Sequence, residues 1–382
     1  MMKKIVIHDF AGLGFVFDLP KELSKNPNFK VYYLFFDSKV GPKGDFSNYD
    51  SQIKIIGIKL PIKYSKNSMI NRLLCELIYG AFLLVNLIKI KPNIVLSGNS
   101  PIDIYWGIFV AKKILKFKLI YWSQDIYGIA IKNIFEKKIG LVGSLIGKIY
   151  EHREKQQFLR SDALVTISDI MHKYILSVVK DNKINVSLIS NWGNLSEISY
   201  KAPVKSREIP TLVYTGTLGF KHDPDVLIQL SNYLKGIAIV EIYTHGAAVD
   251  YLKNKNNSSN LKIFDLLPHG EFIKKLESAS AFICLIEEDA SKYCVPSKVQ
   301  NYLCAGRPIF IIGDFKNAAS QIIKTQNCGY VVSKEKIEVL SQKINFCFQH
   351  NTEYLRLCKN ARLYAEHNFK IYDICKKFEQ LF

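Results

Sequence analysis

The sequence predicts an α/β protein built from two doubly wound parallel sheets, and three observations carry that prediction. Short runs of β-branched and aromatic residues alternate with stretches of helical periodicity along almost the whole chain. The alternation stops once, in a segment rich in Lys, Ser and Pro from 194 to 210, and then resumes. The chain has 382 residues of which 48% are apolar, enough for two cores. The expected domains are 1–200 and 201–365.

In the first half the strands are "KIVIHDF", "KVYYLFF", "NIVLSG", "KLIYWSQD", "ALVTIS" and "KINVSLIS". Each is separated from the next by enough chain for a helical crossover, so the strands run parallel. The opening "MMKKIVIHDF" has only a short apolar stretch before His8 and Asp9 and reads as the first strand, not as a signal peptide. In the second half "TLVYTG", "AIVEIYTHG", "LKIFDLL", "AFICLIE", "RPIFIIG" and "YVVS" repeat the same pattern. The final "KIYDICKKFEQLF" is an amphipathic helix that suits either domain. The most apolar stretch, "LLCELIYGAFLLVNLIKI" from 73 to 90, is interrupted by Glu76 and Asn86, and its uncharged run is too short to span a bilayer. It reads as a helix of the first core. The flanking Lys59, Lys63, Lys66, Arg72, Lys89 and Lys91 also suit a helix resting on a membrane surface.

The net charge is +18, and residues 1–200 carry 28 Lys and Arg against 16 Asp and Glu. Such an excess suits anionic lipid or phosphorylated substrates. Nucleic acid fits poorly, because the basic residues are dispersed and no stacking motif accompanies them. The eight cysteines, at 75, 284, 294, 304, 328, 347, 358 and 375, form no C-x-x-C pair. They read as reduced thiols of a cytoplasmic protein, and no zinc site is expected.

Ligands of doubly wound sheets bind beyond the carboxyl ends of the strands, so two facing sheets imply a cleft with chemistry-bearing loops on either side. On the first domain "HDFAGLGF" offers Gly12-x-Gly14, a substrate-facing loop. Phe17 stands where a dinucleotide fingerprint has its third glycine, although Asp37 sits where a ribose-binding acid would. On the second domain "YTGTLGFKHDPD" brings Gly216, Gly219 and Lys221 to a strand end, and "THGAAVD" supplies a second turn with His245. Asp223-Pro224-Asp225 reads as a helix cap with proline at its first turn ahead of a metal-binding D-x-D. The third loop opens the helix of "VPSKVQNYLCAGRP", where Ser297 and Lys298 add a hydroxyl and a cation to a first turn that already favours anions. The loops at 216–221, 244–247 and 295–298 therefore converge on one diphosphate.

Together, "YTGTLGFKHDPDVL", "THGAAVDYL", "LLPHGEFIKKLESASAFICLIEED" and "VPSKVQNYLCAGRP", with "YWSQDIYGIAI", "LRSDALVTIS" and "LISNWGN" in the first half, resemble bacterial GT-B glycosyltransferases of family 4. The likeness is to the branch that assembles surface polysaccharides such as O-antigen, capsule or exopolysaccharide. It implies two Rossmann-like domains facing a cleft, with residues 366–382 crossing back onto the first. It implies retaining transfer of a hexose from a nucleotide sugar, UDP ahead of GDP, without a cofactor or an obligatory metal. The implied acceptor is a glycan, including one linked to undecaprenyl diphosphate, and the implied location is the cytoplasm, peripheral on the inner membrane.

By position, Lys221, Ser297 and Lys298 would hold the diphosphate, with Gly216, Thr217, Gly219, Gly246 and the Leu266-Leu267 backbone around phosphate and base. Asn301 stands where a ribose-binding glutamate is usual; Tyr293 lies eight residues before it, and Glu287 and Glu288 are out of register. Gln124-Asp125 occupies the place of a frequent histidine-containing loop, which makes Asp125 the catalytic candidate of the first domain; a carboxylate capping the following turn is the other reading. Rival functions are a sugar-nucleotide 2-epimerase, an NAD-dependent oxidoreductase and a degenerate scaffold without activity.

Overall fold

The computed structural model describes residues 2–38, 44, 46, 52–65, 68–180, 182–203, 209–218, 223–246, 248–286 and 295–382. The chain divides into two compact units, Met1–Ser190 with Ile371–Phe382, and Asn191–Lys370. The Lys- and Pro-rich segment after 194 therefore belongs to the second unit.

The first unit holds a sheet of seven parallel strands: β1 (Lys3–Asp9), β2 (Phe29–Phe36), β3 (Ile53–Ile58), β4 (Ile94–Gly98), β5 (Lys118–Ser123), β6 (Ala163–Thr166) and β7 (Asn185–Leu188), in the order 3-2-1-4-5-6-7. β1 and β4 lie side by side, so the sequence order of the sheet reverses between them. Central strands are buried on both faces: Ile5, Val6, Ile7, Val95, Leu96, Leu119 and Ile120 are all inaccessible. β3 was absent from the sequence reading. It is an edge strand, "IKIIGI", whose only buried residue is Ile58, so it lacks the continuous apolar run that marks its neighbours.

The second unit holds six parallel strands: β8 (Thr211–Thr215), β9 (Ile239–Tyr243), β10 (Leu261–Phe264), β11 (Ala281–Ile286), β12 (Ile309–Gly313) and β13 (Gly329–Val332), in the order 10-9-8-11-12-13. Here the reversal lies between β8 and β11. Leu212, Tyr214, Val240, Ile242, Ile283, Leu285, Phe310 and Ile312, on one face of the sheet, form a core with the helices Asp225–Tyr233, Val249–Lys255 and Ile337–Gln349.

The chain's last helix, Ile371–Glu379, packs within the first unit. Phe378 meets the Trp122 ring at 5.1 Å and Phe382 meets Phe29 at 6.1 Å. The apolar stretch near residue 80 forms a helix over Met69–Ile90, 22 residues long and apolar enough by length and composition to cross a membrane. A helix packed in the core of a unit passes the same test, and this one is such a helix. One face, with Cys75, Tyr79, Leu83 and Leu87, is buried in the unit, and Gly80 allows close approach of the helix Tyr105–Leu115. The opposite face exposes Ile70, Leu74, Phe82 and Val85.

Candidate functional site

In the second unit, the end of β8 is shaped by backbone that only glycine adopts easily. Gly216 has φ +111° and donates its N–H to the Tyr243 carbonyl at 3.0 Å. Leu218 donates to the His245 carbonyl at 2.9 Å, and Gly246, with φ +123°, would bring a Cβ within 2.7 Å of the Leu218 carbonyl oxygen. Thr217 Oγ1 lies 3.5 Å from His245 Nε2. The loops after β8 and β9 are thus fastened together at the sheet's point of reversal.

The helix Lys298–Ala305 joins them. Tyr302 fixes its position: the hydroxyl accepts the Thr215 N–H at 2.9 Å, lies 2.9 Å from Thr215 Oγ1, and the ring stacks on Phe282 with centroids 4.1 Å apart. Gly306, at φ +63°, ends the helix, and buried Arg307 donates to the carbonyls of Ala279, Ala305, Gly306, Lys201 and Glu277. The "AGRP" end of the motif is therefore a structural clamp, and its "PSK" beginning is what faces the loops.

Lys298 holds its ammonium 3.8 Å from the centroid of the Tyr214 ring, and a Cβ on Gly216 would stand 3.3 Å from that nitrogen. Ser297 is the exposed N-cap residue, yet its hydroxyl makes no capping bond. Gly216, Thr217, Gly246, Ser297 and Lys298 are thus brought together. Leu267 follows β10 on the same edge, half-buried before the helix His269–Ser278.

Asn301 uses its carboxamide oxygen to accept the Asn194 N–H at 2.9 Å, tying the helix to the start of the unit. Asp223 accepts the Asp225 N–H at 3.1 Å in a tight turn, and Asp225 accepts from Lys255 at 2.7 Å and from Tyr251 at 3.1 Å; the helix Asp225–Tyr233 has Pro224 as its N-cap residue and no side-chain capping bond, which corrects the expectation of Asp223 as the cap. Gly219, Lys221, Glu287, Glu288 and Tyr293 lie outside the described residues. Among the described residues no cluster of three His, Cys, Asp or Glu side chains could hold a metal.

In the first unit the reversal between β1 and β4 carries buried polar chemistry that sequence reasoning passed over. Asp9 accepts the N–H groups of Ala11 (3.1 Å) and Leu13 (2.7 Å), the Tyr33 hydroxyl (3.1 Å) and Asn99 Nδ2 (3.0 Å). It thereby holds the turn in which Gly12 takes φ +67°; Gly14 has ordinary helical backbone angles and opens a short 3-10 turn. His8 sits between Ser97 Oγ (2.9 Å) and the Tyr79 hydroxyl (3.0 Å), and burial lowers its pKa to about 3, so the ring is neutral. The signal was available: two polar residues end a fully buried apolar strand. Phe17 packs on Tyr33 and Phe46 at 5.0 Å each, which fills the space a dinucleotide fingerprint keeps open. Asp37 is paired with Lys59 at the surface.

Asp125 lies half-buried just beyond β5, its carbonyl accepting from Ser123 Oγ at 3.2 Å. The helix that follows, Tyr127–Arg160, is capped by a different carboxylate: Glu154 accepts the N–H groups of Tyr127 at 2.7 Å and Gly128 at 3.0 Å. Burial raises the Glu154 pKa to about 8 despite those two bonds. Nearby Glu76, paired with Arg72 at 2.7 Å, is also raised by burial, to about 7. Buried Asp103 accepts from Arg153 and from the Tyr150 hydroxyl. These groups, with Asp125, line the carboxyl end of the first sheet.

No family model matches the chain, and no curated protein matches it. Solved structures do. Sucrose-phosphate synthase from Thermosynechococcus elongatus superposes with a TM-score of 0.74 at 13% identity, covering 99% of this chain and 98% of that one. WaaG, a glycosyltransferase involved in lipopolysaccharide biosynthesis, gives 0.64 at 13% identity with 98% of both chains covered. Anabaena HepE, solved with UDP, gives 0.67 at 10% identity with 99% of both covered. The chain has the GT-B fold.

Proposed function

We propose that this protein transfers a hexose from a nucleoside diphosphate sugar to a glycan acceptor with retention of configuration. The observation that carries the reading is the ammonium of Lys298, held against Gly216 at the sheet reversal where the Gly246 loop also meets. A sugar–diphosphate bond breaks with growth of negative charge on the leaving diphosphate. A fixed cation, the exposed Ser297 hydroxyl and the first turn of a helix stabilise that charge without reorganising. Lys221 is assigned the second cation. Thr217, Gly219 and Gly246 are assigned to the phosphates, Leu267 to the base and Asn301 to the ribose through its amide nitrogen. The charge complement makes a metal or other cofactor unnecessary. UDP is proposed ahead of GDP, and the UDP bound to HepE supports that choice.

The first unit is assigned the acceptor, at Gly12 and Gly14 on the Asp9-anchored turn, with Asp125 as the catalytic carboxylate beyond β5. The acceptor is a glycan, with an undecaprenyl-diphosphate-linked glycan as the preferred form. The proposed setting is surface-polysaccharide assembly such as O-antigen or capsule, in the cytoplasm and peripheral on the inner membrane. The involvement of WaaG in lipopolysaccharide biosynthesis supports that setting.

The test is calorimetric titration of the wild type and Lys298→Ala with UDP, GDP and NADH in the presence of EDTA. Binding of UDP or GDP that weakens in the variant is the expected result. Binding of NADH alone, or nucleotide binding indifferent to Lys298, would overturn the assignment.

A further inference from the structure

The helix Tyr127–Arg160 is a hairpin. Its two arms turn at Ile139 and Gly140, where Gly140 takes φ 56° and the backbone leaves the helical region. Glycines let the arms touch: Gly128 backs onto Glu151, Gly143 onto Phe135 and Gly147 onto Lys132, and a Cβ at any of the three would collide with the opposite arm. With Gly143 and Gly147 turned inward, Leu141, Leu145 and Ile149 at four-residue spacing are turned outward.

Exposure at this tip is unlike that of scattered surface residues. Leu141 is 91% exposed, Val142 64% and Leu145 62%, and Ile134, Ile139 and Ile149 are each about half exposed. Six large apolar side chains crowd one turn. The base of the hairpin sits at the carboxyl edge of the seven-stranded sheet: Glu154 meets Tyr127 just beyond β5, and Arg153 meets Asp103 just beyond β4. From Glu154 the arm runs 13 residues to Leu141, a rise of about 20 Å. The tip therefore lies about 20 Å along the hairpin from the edge that carries the Asp9 turn and Asp125.

The charges around the tip are mostly positive. Between 136 and 148 the chain carries Lys137, Lys138 and Lys148 against Glu136 alone. A second copy docking by the same face would bring these lysines together, whereas an anionic lipid surface would neutralise them while covering the apolar side chains. We infer that the hairpin tip, residues 134–149, inserts into the headgroup boundary of an anionic bilayer and holds the carboxyl edge of the first sheet towards the membrane surface. The inference adds to the membrane-surface element of the reading above. Its decisive readout is vesicle binding, so its failure removes the membrane element and leaves the nucleotide-sugar reading, which is tested by nucleotide titration, standing.

The experiment is flotation of the full chain with phosphatidylglycerol-containing vesicles and with pure phosphatidylcholine vesicles, at low salt and at about 0.5 M NaCl. The wild type is expected to float with the anionic vesicles only, and less at high salt. Leu141→Glu with Leu145→Glu is expected to lower the partition constant at least about tenfold while leaving the melting temperature and UDP binding unchanged. Emission from Leu141→Trp is expected to shift to the blue on addition of anionic vesicles. The inference is overturned if the wild type ignores anionic vesicles, if the tip variant binds as the wild type does, or if Leu141→Trp does not shift. It is equally overturned if Ile70→Glu with Leu74→Glu abolishes binding and the tip variant does not, or if the tip proves to be a dimer contact that Leu141→Glu dissociates.

Discussion

Lys298 sits over Tyr214, its ammonium 3.8 Å from the ring centroid, and the ring belongs to the strand that delivers Gly216. A lysine carries three rotatable donors on a long stem, and fixing it costs entropy. Resting the cation on a buried aromatic face meets part of that cost before any ligand arrives, since such contacts stabilise by roughly 0.5–2 kcal/mol. The ammonium is thus preorganised.

Lys298→Ala should therefore lose transition-state stabilisation on the order of 3 kcal/mol, roughly a hundredfold in turnover. The fold should survive, because the helix is held by Tyr302 and Arg307 and not by the lysine. Steady-state kinetics with thermal denaturation check both halves. Activity like that of the wild type would remove Lys298 from the mechanism.

Gly246→Ala should destabilise the second unit and weaken nucleotide binding together. A side chain there meets φ +123° and the Leu218 carbonyl at 2.7 Å, a strain of about 1–3 kcal/mol. Gly270→Ala is the control: its Cβ would meet nothing within 4 Å, in a helix where alanine is favoured by roughly 1 kcal/mol. If both substitutions shift the melting temperature alike, the loop is not the constrained element described here.

How much of this was legible from residues alone depends on burial. Strands such as "KIVIHDF" and "AFICLIE" announce themselves because central parallel strands are apolar on both faces, whereas edge strand Ile53–Ile58 does not. Gly216, Gly246 and Lys298 were visible as turn chemistry at strand ends, and the structure gathers them. The polar end of the first strand, His8 and Asp9, was visible, but the partners of Asp9 and the Glu154 cap were not. Glu154 reaches back 26 residues along a hairpin whose turn is hidden in an unbroken helical pattern, and only Gly140 marks it. Long-range polar partners leave no local periodicity to read.

Tyr302→Phe isolates one bond of the donor-side framework. The phenyl ring keeps its stack on Phe282, but the buried Thr215 N–H loses its acceptor, which costs about 1–3 kcal/mol. Denaturant unfolding should show a lower midpoint, and nucleotide affinity should fall because Thr215 precedes Gly216. An unchanged midpoint would mean that water replaces the hydroxyl.

Glu154 gives the stability of the first unit a pH dependence of predictable sign. Its folded pKa, about 8, lies above its ordinary 4.5, so the folded chain holds a proton that the unfolded chain has released. The wild type is then most stable, as far as this group decides, below about 4.5 and loses stability as pH rises towards 8, by at most about 1.4 kcal/mol per unit. Glu154→Gln, which keeps one acceptor for the Tyr127 and Gly128 N–H groups, should remove that slope. Glu76, also raised, is present in both proteins and cancels in the difference. Urea melts of wild type and variant from pH 5 to about 8 should therefore converge at the acid end and diverge, with the variant the more stable, at the alkaline end. Parallel profiles would show that the two backbone N–H bonds outweigh burial and that Glu154 is ionised throughout.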